Sequence, residues 1–194
     1  DGIHIWSSAE IWVKNNYIQG HKDGIYLEKA NNSFVYRNFS EKNLRYGLHF
    51  MFSHNNVYTA NVFKNNDAGI AVMYSRNVGM FKNKFLENWG DGVYGLLLKD
   101  LTFSKIKNNI FRNNTVGIFM DGASKVDLYH NEFVNNGWGL KINANCMENR
   151  LMNNNFENNT FDVSTSGSLV MNSFRNNYWD QYEGYDLDKD KIGD

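Results

Sequence analysis

The chain has 194 residues, with 20 basic and 21 acidic side chains and a net charge of -1. That length suits one domain with a continuous core, and the charge balance gives no footprint for nucleic acid or an anionic membrane. No run of eighteen apolar residues offers a membrane span, and the single cysteine, Cys146, excludes an internal disulfide without fixing a redox compartment.

Read from its start, the chain is already inside a repeat. Asp1-Gly2-Ile3-His4-Ile5 is a full glycine-headed apolar triplet, so the sequence reads as part of a longer protein whose first rungs and leader lie upstream. The triplet returns at Gly24, Gly47, Gly69, Gly95, Gly117 and Gly139, in steps of 22, 23, 22, 26, 22 and 22 residues. A second ladder runs in phase. Asn16, Asn38, Asn61, Asn83, Asn109, Asn131, Asn154 and Asn172 head N-x-F triplets or weaker copies, in steps of 22, 23, 22, 26, 22, 23 and 18. Two signals with one period define a solenoid.

Each repeat holds short alternating apolar pieces and none of the ten-residue runs at 3.6 spacing that a helix needs. With no proline in the chain, the turns fall to Asn and Gly, which tolerate left-handed backbone angles. The leucine-heavy consensus of leucine-rich repeats is missing. The fold expected is all-β, a right-handed parallel β-helix of about eight rungs of 22–23 residues, spaced by roughly 4.8 Å. In such a stack the Asn side chains form hydrogen-bonded ladders. The Phe two residues on stacks inside, and the residues one and three past each Gly also face inward. The helix is expected over residues 1–177. Residues 178–194 form an aromatic and acidic cap and tail, with Tyr178, Trp179, Tyr182 and Tyr185 over the last rung. Most Trp and Tyr fall outside the ladders and are expected to be partly exposed.

Four places invite chemistry. The positions two and four past each Gly share the outward face. They set His49 beside Met51, and Met51 next to Met73 one rung on, with His54 in the adjoining turn. An imidazole and two thioethers exposed on one face suit Cu(I), because soft sulfur ligands select it; the alternative is Met as filler and a surface His. Asp1, Asp23, Asp67 and Asp91 sit near the glycines. Asp67 and Asp91 could approach to the roughly 5–10 Å that sugar hydrolysis needs, although Asp is also a common turn residue. No local cluster of acid, base and charge-stabilising residue is visible along the sequence. The 26-residue step leaves extra residues between Asn88 and Tyr94, unless the triplet starts at Gly92 instead. Solenoid insertions leave as loops, so Trp89 and Tyr94 become candidates for protein or sugar contact. Finally, Asp186, Asp188 and Asp190 alternate like the start of a calcium loop, but Lys191 replaces the required Gly. That run reads as a solvated tail.

Several segments carry a family resemblance. Tyr94-Gly95-Leu96-Leu97-Leu98-Lys99-Asp100, Asn113-Asn114-Thr115-Val116-Gly117-Ile118 and Phe161-Asp162-Val163 are similar to NosD. So is the end, Asn176-Asn177-Tyr178-Trp179-Asp180 followed by Gly184-Tyr185-Asp186-Leu187-Asp188. The resemblance implies a periplasmic right-handed β-helix that is not itself catalytic. It implies work with an ABC-type ATPase and membrane permease and a copper chaperone lipoprotein, in maturing the copper centres of nitrous oxide reductase. It supplies no copper site that maps onto His49, Met51 and Met73, which rest on ligand chemistry alone. A polysaccharide-binding or polysaccharide-modifying β-helix is the rival and needs a groove lined by Asp, Lys or Arg with aromatic platforms. A plain structural solenoid is the third reading.

Overall fold

The computed structural model describes residues 1–167 and 171–184. Twenty-four short strands fall into three parallel sheets of eight, each sheet taking every third strand. The first sheet has the long strands: Ile3–Trp6, Asp23–Glu28, Tyr46–Met51, Ala68–Met73, Tyr94–Lys99, Val116–Asp121, Trp138–Asn143 and Phe161–Ser166. The second runs from Trp12–Lys14 to Ser173–Arg175, and the third from Tyr17–Gln19 to Tyr178–Trp179. The chain is therefore a parallel β-helix of about eight turns, with no helix among the described residues.

The interior follows the expected register. Ile25 and Leu27, Leu48 and Phe50, Ile70 and Val72, Leu96 and Leu98, and Ile118 and Met120 are all buried from the first sheet. From the third sheet, Phe63, Phe85, Phe111, Phe133 and Phe156 stack in one column with centroids 5.6, 4.6, 5.0 and 4.6 Å apart. Trp179 continues that column, 4.4 Å above Phe156. It is a member of the third sheet, since Tyr178–Trp179 pairs with Asn155–Glu157. Tyr182 is exposed, and Tyr185 lies outside the described residues.

The asparagine ladder forms, with one correction. Asn61 donates from both its backbone and its side-chain nitrogen to Asn83 Oδ1, at 3.0 Å each, and its side chain also reaches Val35 O. The same pattern climbs to Asn154, whose partner is Asn177. Asn172 belongs elsewhere: it accepts from Asn149 on the edge of the second sheet. The irregular 18-residue step marked this change of column. A further buried ladder, Asn43, Asn66, Asn88, Asn114, Asn136 and Asn159, escaped the sequence reading because no aromatic residue follows its members at a fixed distance.

The turn chemistry agrees with expectation only in part: Asn takes many left-handed positions, but so do Lys82, Arg37, Glu87, His130 and Ala60. The left-handed residue is the one before each ladder Asn, with φ between 52° and 58° at Asn15, Arg37, Ala60, Lys82, Asn108, His130, Asn153 and Asn176. Local strain there is offset by the side-chain bonds of the Asn that follows. The repeat glycines do not use left-handed angles at all. They are small because the next rung is close: a Cβ on Gly95 would lie 2.7 Å from Gly117 O. Tyr94 pairs with Ala68 and Leu96 with Ile70, which places the rung start at Gly95 rather than Gly92.

Candidate metal centre

The outward side of the first sheet carries two continuous columns. One runs His4, Tyr26, His49, Ala71, Leu97, Phe119 and Lys141; the other runs Trp6, Glu28, Met51, Met73, Lys99 and Asp121. Met51 and Met73 are therefore paired neighbours on adjacent strands, as expected, and both are half-buried.

His49 departs from expectation. It occupies the outward column but is only 6% exposed. The rings of Tyr26 and Tyr46 pack on it at centroid distances of 4.9 and 4.8 Å, and small, fully buried Ala71 pairs with it on the next strand. Its Nδ1 lies 3.3 Å from Asp23 Oδ2, while its Nε2 is buried with no hydrogen-bond partner. Asp23 is 1% exposed. Arg45 grips it with both ends of its fork, Nε to Oδ1 at 2.8 Å and Nη2 to Oδ2 at 2.5 Å. Burial pushes the Asp23 carboxyl up, but hydrogen bonds and charge from Arg45 and His49 outweigh it and hold the group well below the usual carboxylate range. Burial pushes the Tyr46 phenol up.

This cluster of acid, imidazole and guanidinium is assembled by the fold and is not local along the sequence. Asp23 and Arg45 are 22 residues apart, and Asp23 and His49 are 26 apart. The signal was available in the register: Asp23 pairs with Tyr46, beside Arg45, and Tyr26 pairs with His49.

His54 lies beyond the turn at Phe52, off the strand that carries Met51, and its backbone N–H donates to Asn31. Its Nδ1 is buried without a partner. Burial, then the nearby Arg76 charge, lowers its pKa and favours the neutral, ligating imidazole. Among the described residues no group of three or more His, Cys, Asp or Glu could hold a metal, so the softness of the candidate set rests on the two thioethers. Asp186, Asp188 and Asp190, the weak calcium candidates, lie outside the described residues.

The inserted residues shape the same face. Trp89 is 65% exposed on the loop. Tyr94 is not on the loop but opens the strand Tyr94–Lys99 and stacks on Phe119 at 5.2 Å. A cavity of about 550 Å³ lies beside it, lined by Tyr94, Phe119, Trp138 and Lys141 with Asn143 and Ser164. Lys141 Nζ sits 3.6 Å from the centroid of the Trp138 ring. A smaller cavity of about 270 Å³ brings Asp67 and Asp91 together with Arg45 and Tyr46.

A three-sheet parallel solenoid of about eight turns defines the class: a parallel β-helix protein. The profile of the NosD family, described as periplasmic copper-binding protein, matches residues 1–184, and the chain belongs to that family. A search of individually curated proteins finds no match. Among solved structures it resembles the A-module of mannuronan C-5 epimerase AlgE4 from Azotobacter vinelandii, at 17% identity and TM-score 0.77, covering 88% of this chain and 53% of that one. The periplasmic alginate epimerase AlgG is similar, at 15% identity and TM-score 0.75, with 86% and 50% covered. The chain thus spans about half the length of these neighbours, and at such identity the likeness is one of fold.

Proposed function

We propose that this chain is a periplasmic copper-handling β-helix that binds Cu(I) transiently at Met51, Met73 and His49. The observation that carries the reading is the pairing of Met51 with Met73 on adjacent strands, beside a histidine whose Nε2 has no partner. Membership of a family described as copper-binding supports it. Thioethers are soft donors that favour Cu(I), and an imidazole nitrogen without a hydrogen-bond partner would complete a small set. Two or three ligands hold an ion while leaving room for a receiving protein to finish the coordination. Because Nε2 is shut from solvent, loading requires the side chains around the ring to shift. His54, with its own unpartnered nitrogen, would serve an ion entering across the turn.

In this reading the chain acts as a docking scaffold. It would work with an ABC-type ATPase and permease, take copper from a chaperone lipoprotein, and serve the maturation of nitrous oxide reductase. The test is anaerobic Cu(I) titration against a competing chelator, for the intact chain, for Met51→Ala with Met73→Ala, and for His49→Ala. Loss of binding in the variants supports the site. Unchanged binding in all of them removes it.

A second reading rests on the cavity of about 550 Å³ with its Tyr94, Phe119 and Trp138 rings and Lys141. Aromatic faces beside a cation are what an acidic sugar unit would use. It predicts that an alginate oligosaccharide quenches Trp fluorescence in the intact chain and fails to do so in Trp138→Ala.

A further inference from the structure

The ligand set of Met51, Met73 and His49 leaves Asp23 and Arg45 unaccounted for, yet the two form a bidentate pair around a buried carboxylate. A carboxylate that is 1% exposed is costly to bury unless it is paired. Three donors meet it: Nε and Nη2 of Arg45, and Nδ1 of His49. An ionised carboxylate can only accept, so the proton between Asp23 Oδ2 and His49 Nδ1 lies on the nitrogen. A neutral imidazole carries one ring proton, and Nε2 is then the bare nitrogen. That is the atom found buried without a partner. Buried polar groups are almost always hydrogen-bonded, so an unpartnered Nε2 in the wall of the solenoid leaves a bond open to a ligand.

We propose that Asp23 is a positioning residue for copper: it fixes His49 in the one tautomer that presents Nε2 to the metal, and Arg45 anchors Asp23 in turn. The proposal rests on the reading of His49 as a ligand. Asp23 is not itself proposed as a ligand. It acts through the imidazole, as the carboxylate behind a metal-bound histidine generally does. Tyr26 and Tyr46 both pack on the ring, tilted to it by 41° and 53°, and restrict its motion, so the carboxylate is left to decide where the proton sits. The opposite tautomer would put hydrogen on Nε2 and close the ligand without moving any heavy atom.

The test uses the intact chain labelled with 15N, with the His49 signals identified by their absence in His49→Ala. In the metal-free protein near neutral pH, the 15N shifts should report hydrogen on Nδ1 and a bare Nε2. Adding Cu(I), which is diamagnetic, should move the Nε2 signal. In Asp23→Asn the side-chain amide can turn its NH2 toward Nδ1, which releases the other tautomer. The expected result is a mixed or reversed 15N pattern, and a Cu(I) affinity lower by about 10–100-fold, the usual consequence of losing such a partner. Circular dichroism and the thermal midpoint check that the variant is folded. A wild-type protein with hydrogen on Nε2 overturns the proposal whether or not Asp23→Asn folds, and so does a folded Asp23→Asn with native affinity. If His49→Ala also binds Cu(I) normally, the ligand reading fails. If His49→Ala loses binding and Asp23→Asn keeps it, only the positioning role fails.

Discussion

The two sides of the first sheet share one backbone and one register but obey different rules. On the inward side, every rung from Gly24 to Gly117 repeats the same solution: two large apolar side chains from each strand, completely buried. On the outward side, the column through His49 changes character at each step, from histidine to tyrosine, back to histidine, then to alanine, leucine, phenylalanine and lysine. The inner columns answer to packing against the rung above and below, which allows little variation. The outer columns answer to whatever meets that face. Chemistry therefore collects where the repeat is least regular.

The sharpest way to test this contrast is to damage the inner side. Phe111 lies between Phe85 and Phe133, with centroids 4.6 and 5.0 Å away. Phe111→Ala should destabilise the fold by about 3–5 kcal/mol, read as a shift in the denaturant midpoint. An unchanged midpoint would break the register on which every column depends. Asn109→Ala should be next. The Asn109 amide donates to Met80 O and to Asn131 Oδ1 and accepts from the side chain of Asn83, all in the interior. Its loss leaves buried groups unsatisfied, at a cost of about 1–3 kcal/mol. Gly95→Ala forces a methyl against Gly117 O at 2.7 Å, and separating the two rungs should cost about 1–3 kcal/mol by the same assay.

The ease with which the inner side could be read follows from the same contrast. Asn61-Val62-Phe63 and its copies repeat because each must sit on its predecessor, so the period is visible in a single sequence. The positions of Met51 and Met73 followed from that period alone. The Asp23–Arg45–His49 cluster did not, because its members come from two rungs and occur once. Nor could the burial of His49 be read, since it depends on how the Tyr26 and Tyr46 rings turn toward it. Tyr58 shows the same blind spot: it lies outside the ladders, yet it is fully buried and stacked 4.5 Å from Phe50. Burial raises its phenol far above the ordinary value.

The smallest structural effect should come with the largest functional one. Met51 and Met73 are half-buried and outward, and neither belongs to the inner columns. Replacing both with Ala removes flexible side chains that no neighbouring rung requires, so the loss of stability should be about 1 kcal/mol or less. The same double variant should lose most of its Cu(I) binding, because no other sulfur lies in that column. A thermal midpoint close to that of the intact chain, with copper affinity gone, would separate the two sides of one sheet into a packing surface and a chemical one. A midpoint that falls as far as that of Phe111→Ala would mean that the methionines pack rather than bind, and the distinction between the two sides would collapse at this rung.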